Sequence, residues 1–132
     1  MSTSEPDAEP SDFDDWLAEE FAARGGFTAL VVLVAIEERT VEPLASTYFN
    51  VIGDAVAWPD IVTMFSSAGV EWSGASFFPL ESPDGGPIDD AEARVALRVL
   101  EARVREERLA LNGGCFVDRL GRRVMIEEMP PQ

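Results

Sequence analysis

"TVEPLASTYFNVIG", residues 40–53, is the stretch on which the fold turns. Val41, Leu44, Ala45, Tyr48, Phe49 and Ile52 fall at i, i+3, i+4, i+7, i+8 and i+11, a repeat that gathers apolar groups on one side of an α-helix. Thr40 suits an N-cap. Pro43 is tolerated in a first turn, where its missing N–H has no intrahelical partner, and Gly53 suits the stop. The periodicity therefore predicts a helix over 41–52.

A helix there makes the preceding run, "FTALVVLVAI" at 27–36, the strand before a crossover. Val31, Val32, Val34 and Ile36 make it β-branched, and its unbroken apolarity suits a strand buried on both faces. Upstream, Ser11 with Asp14 three residues on forms a capping-box variant. Phe13, Trp16, Leu17 and Phe21 then trace a helical face over 12–23, which Gly25-Gly26 ends. Downstream, Pro59 opens a short helix carrying Ile61, Met64, Phe65 and Ala68, stopped by Gly69. "VEWSGASFFPL" (70–80) reads as a strand ended by Pro79, and "ESPDGGP" as a turn-rich connector. Asp89 and Glu92 open the longest helix, 89–111, and Asn112-Gly113-Gly114 closes it. Two short strands, 115–118 and 122–127, complete a C-terminal hairpin around Leu120-Gly121.

The expected order is α-β-α-α-β-α-β-β: an α+β or α/β fold with a mixed four-stranded sheet. Two right-handed crossovers would make its first three strands parallel. Residues 1–11 form an acidic tail expected to be disordered, and 12–132 one globular domain, the size that a single core supports without staples.

Composition removes whole classes of chemistry. The 132 residues contain no histidine, and all ten basic side chains are arginines, which we read as coding bias. Without His or Lys the usual Ser-His and Cys-His pairs, His-bound zinc, Schiff bases and the P-loop lysine are all unavailable. One cysteine can build neither an internal disulfide nor a structural zinc site. These absences weigh against an enzyme, and no cofactor or metal site is expected. The N-terminal segment lacks the basic and apolar regions of a signal peptide and no run approaches the ~20 apolar residues of a membrane span, so the expectation is a cytoplasmic protein.

The formal charge of −15 is uneven. Residues 1–87 hold sixteen acids and two arginines, whereas residues 88–132 hold nine acids and eight arginines. Such a balance opposes direct contact with nucleic-acid phosphates or anionic membranes and favours another protein, a basic one included; a homo-oligomer stays open.

Four groups of residues are candidate sites. Cys115 follows a helix C-terminus, where the dipole disfavours a thiolate, and shares a strand face with Val117, which points to a buried small side chain. Arg94, Arg98, Glu101, Arg105 and Arg108 are spaced 4, 3, 4 and 3 along one helical face, either a solvated stripe or a docking surface for an acidic group. The same helix is apolar on two flanks, with Ala93, Ala96, Leu97, Leu100, Val104 and Leu111 on one and Val95, Val99 and Ala102 on the other. That breadth implies deep burial or a helix shared with a partner. Phe13, Trp16 and Leu17, set among acids, suit either a groove on a basic partner or the protein's own sheet. Arg119, Arg122 and Arg123 gather at the hairpin turn. The carboxylates Asp54, Asp60, Asp84, Asp89 and Asp90 could hold a hard cation, but caps and turns account for them.

The function that follows is a small acidic protein-binding module (an adaptor, assembly or regulatory factor) contacting its partner through Phe13, Trp16 and Leu17 or the arginines just named. The alternatives are a small-molecule-binding or carboxylate- and Mg²⁺-dependent enzyme, and an acidic mimic of nucleic acid.

Overall fold

A computed structural model describes residues 11–37, 40–52 and 57–125, apart from the Arg108 side chain. The tail over 1–10, Asp54 and the end of the last expected strand (126–127) lie outside the described residues. The elements are helix α1 (Asp12–Arg24), strands β1 (Phe27–Ile36) and β2 (Val41–Val51), helix α2 (Trp58–Ser66), strand β3 (Gly74–Leu80), helix α3 (Asp90–Glu106), a 3-10 turn (Arg108–Gly113) and strand β4 (Cys115–Asp118).

Among the described residues the fold is α+β, with three α-helices on a four-stranded sheet ordered β2-β1-β3-β4, and every pairing is antiparallel. The helix expected over 41–52 is the edge strand β2, and the expected parallel crossovers are absent. β1 and β2 are paired neighbours, and at their junction Glu37 N–H donates to Thr40 C=O at 2.8 Å. The helical spacing is produced by a β-bulge. Leu33 faces Ala45 and Val34 faces Pro43, so Leu44 has no partner and the inward-outward alternation reverses there. Val41 and Tyr48 consequently pack on one side of the sheet, and Ala45 and Phe49 on the other. An edge strand also accommodates the proline, which has no ladder hydrogen bond to give.

β1 is central and buried on both faces, as its apolar run implies, because helices lie on both sides of the sheet. On one side α1 and α2 enclose an aromatic cluster of Phe13, Trp16, Phe27, Trp58, Phe65, Trp72 and Phe77. Phe77 sits at its centre, with ring centroids 4.7 Å from Phe13 and 6.0 Å from both Trp16 and Phe65. On the other side α3 covers a mainly aliphatic cluster of Leu30, Val32, Val34, Leu100, Val104 and Leu111 with Phe116.

α1 carries the expected capping box: Ser11 Oγ accepts from Asp14 N–H, and Asp14 Oδ2 accepts from Ser11 N–H at 2.9 Å. Asp14 Oδ1 also accepts from Trp58 N–H at 3.1 Å, which ties α1 to the start of α2. α3 is shorter than expected. Glu107 is extended (φ −147°), its carboxylate accepts from Leu109 N–H, and the 3-10 turn carries Leu111 into the aliphatic cluster. Gly114 then lets β4 pass close to β3, since a Cβ there would stand 2.5 Å from the Phe77 carbonyl oxygen. After β4 the chain turns back, Val117 bridges Arg123, and Val124 N–H donates to Phe116 C=O at 2.9 Å. No helix among the described residues is long and apolar enough to cross a membrane.

Candidate functional site

The α1 candidates belong to the core. Phe13, Trp16 and Leu17 are 0, 8 and 3 % exposed, facing the protein's own sheet rather than a partner's groove. Their acidic neighbours Asp12 and Asp14 explain why the segment is charged: both serve the chain itself, Asp14 as cap and Asp12 by accepting from Arg123 N–H at 2.7 Å.

The turn that gathers Arg119, Arg122 and Arg123 is a clasp across this core. Its Gly121, at φ +78°, presses against Ser11, and its carbonyl accepts from Phe13 N–H at 3.0 Å. The Arg119 carbonyl accepts from Trp58 Nε1–H at 2.9 Å, and the Arg119 guanidinium lies over the Trp72 ring at 5.2 Å. Arg122 pairs with Asp118 at 3.1 Å. The neighbouring Cys115 is fully buried against the aromatic cluster, and burial pushes its thiol up to about 11, against the smaller lowering effect of Arg123. A thiol in that state is no nucleophile near neutrality.

The carboxylates divide into caps and turns. Asp89 Oδ1 accepts from Glu92 N–H at 2.8 Å at the start of α3, and Asp60 Oδ2 accepts from Ala57 N–H at 3.1 Å at the start of α2. Asp90 accepts from the Tyr48 hydroxyl at 3.1 Å, and Asp84 lies in the turn that Ser82 organises. Among the described residues no three His, Cys, Asp or Glu side chains gather as a metal site would require.

α3 is the element with surface to spare. It lies across β1 and β2, burying Ala93, Leu100 and Val104. Its two flanks differ. Arg94, Arg98 and Arg105 stand exposed on the flank toward β2, where Ser46 Oγ donates to Glu101; none of the three enters an ion pair among the described residues. On the opposite flank Val95 and Val99, each 57 % exposed, border a channel between the helix and the end of β3. Two adjoining hollows of about 450 and 310 Å³ form it and share Leu80 and Ala96 in their walls. Ile88 and Pro83 line one end, and Phe78, Pro79 and Leu100 the other. The charged groups on its rim are Glu81 and Glu92 at the first end and Arg103 at the second.

The channel exists because β4 is short. It pairs with Gly74–Phe77, so among the described residues β3 beyond Phe77 has a neighbour on one side alone, and Pro79 is accommodated there. Phe78 and Leu80 point to the α3 side but lie outside the helix's footprint, and remain half-buried. The signal for this surface was the second apolar flank of α3, Val95 and Val99. Leu80 and Ile88, in a strand end and a connector, gave none.

Neither a protein-family model, a curated protein nor a solved structure matches the chain.

Proposed function

We propose that this chain is a small acidic protein-binding module without catalytic activity of its own, and that it docks its partner on the channel between α3 and the end of β3. The observation that carries the reading is the pair Val95 and Val99, over half exposed on the outside of a helix whose other side is fully used by the core. Isolated exposed valines are ordinary; two at i, i+4 flanking a continuous apolar channel are a surface shaped for contact. The channel is open and predominantly aliphatic, with one charge sign at each end, which suits an amphipathic element of a protein. No group with raised nucleophilicity or a convergent pair of free carboxylates lines it. Asp60 and Asp89 are occupied as helix caps and Asp90 by the Tyr48 hydroxyl, which is why this reading stands ahead of a carboxylate-dependent enzyme.

Affinity capture with tagged wild type and with a Val95→Glu/Val99→Glu double variant tests it. The expected result is a stoichiometric protein retained by the wild type and lost from the variant, with circular dichroism of the two proteins the same. A partner held equally by both would refute the assignment of the surface.

A further inference from the structure

We propose that the occupant of the channel is a second copy of this chain, bound so that the two α3 helices lie antiparallel across a two-fold axis at the level of Leu97. The inference rests on the reading of the channel as a protein-docking surface and adds what docks there. Three observations point to a copy rather than to a basic protein.

The first is that ridge and channel occur on the same patch. Val95 and Val99 project from α3 beside the hollow walled by Leu80, Ala96 and Leu100. A two-fold axis between the valines brings Val95 of one copy opposite Val99 of the other, so the two ridges pack together and the channel beside each faces that of its partner. This is the self-complementarity that an isologous interface requires.

The second is the placement of charge along the rim. Glu92 and Arg103 lie on this same flank, about 16 Å apart at the rise of an α-helix. Glu81 is already paired with Arg24 at 2.8 Å, but Glu92 and Arg103 make no ion pair among the described residues. Reversing the helix about the axis at Leu97 sets Glu92 of each copy against Arg103 of the other, so one operation satisfies both ends. A parallel arrangement would place like charges together.

The third is the charge of the rest of the chain. Each copy carries −15, and residues 1–87 hold nearly all of it. Two copies meeting through that part would set acid against acid. The α3 side of the channel belongs to the segment 88–132, with nine acids and eight arginines, and Glu81 on the β3 side is already paired with Arg24, so two copies meet there with less of that repulsion. That segment is also the part that offers a basic partner least attraction.

Sedimentation equilibrium of the purified full chain, from about 5 to about 500 µM, tests the proposal directly, a Kd on the order of 10 µM being expected for a small interface of this kind. Val95→Glu/Val99→Glu should be monomeric throughout, with an unchanged circular dichroism spectrum. Arg103→Glu should weaken the dimer roughly tenfold by facing Glu92 with a like charge, and Glu92→Arg/Arg103→Glu should restore it. A monomeric wild type at every concentration overturns the proposal, while the reading of the channel still stands or falls by the capture experiment above. A dimer indifferent to the valine substitutions overturns it too, as does a charge reversal that the double exchange fails to rescue.

Discussion

Among the described residues, one face of the sheet has seven buried aromatic rings enclosed by two helices and a clasping turn, and on the other a single helix crosses two of the four strands. The aromatic face is closed by hydrogen bonds as well as by packing. Trp58 reaches the Arg119 carbonyl, Phe13 N–H the Gly121 carbonyl, and Arg123 N–H the Asp12 carboxylate. These contacts join chain positions more than 60 residues apart. The α3 face is finished only over β1 and β2, and beyond them the apolar side chains of β3 and α3 border an open channel. The difference teaches where substitution should be felt as stability and where it should be felt, on the function proposed here, as binding.

The sharpest way to break this contrast is at its aromatic centre. Phe77→Ala should cost about 3–5 kcal/mol in urea denaturation, because it leaves a hollow among rings that α1 and α2 hold apart. A loss near 1 kcal/mol would mean that this face is much less tightly packed than its ring contacts imply.

Cys115 comes next, through pH. Its thiol is pushed from an ordinary value of 9.0 up to about 11, so the folded state prefers the neutral form. The stability this confers is present below pH 9 and is lost as pH rises through 11, to an extent of about 2–3 kcal/mol. With no lysine or histidine in the chain, few other groups titrate there. Cys115→Ala should therefore lack most of the alkaline decline in melting temperature, and the wild-type thiol should resist modification near pH 7 until the protein unfolds. An equal decline in both proteins would assign it to another group.

Gly114→Ala should cost about 1–3 kcal/mol by forcing β4 away from the Phe77 carbonyl, read as a lower urea midpoint. The smallest effect is expected on the other face. Val95→Glu/Val99→Glu should change stability by no more than about 0.5 kcal/mol, since both side chains already face solvent in the single chain. A large loss there would show that these valines serve the core, and the two faces would no longer differ in kind.

Much of this arrangement was legible in the residues. The Ser11 cap with its Asp14 partner, the doubly buried run at 27–36, the Asp89 cap of α3 and the inward Cys115 all stand as the sequence implies. Each rests on local chemistry: a side chain reaching a nearby N–H, or apolarity without interruption. β2 was not legible because the bulge at Leu44 reverses its alternation and produces a helical spacing by coincidence. What opposed a helix was composition. Thr47-Tyr48-Phe49-Asn50-Val51 is β-branched or aromatic for four of its five residues, and Pro43 stands two positions later than helices favour. From that one misreading followed the parallel sheet. The candidate surface was half legible. The valine flank of α3 showed as an excess of apolar positions, but its opposite wall depends on how far β4 extends along β3, which no local pattern encodes. Phe13, Trp16 and Leu17 illustrate the converse, for an amphipathic helix has the same pattern whether it faces a partner or its own sheet.

The central claim is that the α3 channel, and not α1, is where this protein meets another chain. Methyl resonances of Val95 and Val99, followed by NMR as the concentration of the protein is raised, test it most directly. The account predicts concentration-dependent shifts at these two valines and at Leu80, with Val31 and Val117 of the aromatic face unmoved. Shifts confined to residues around α1, with Val95 and Val99 unchanged, would contradict it.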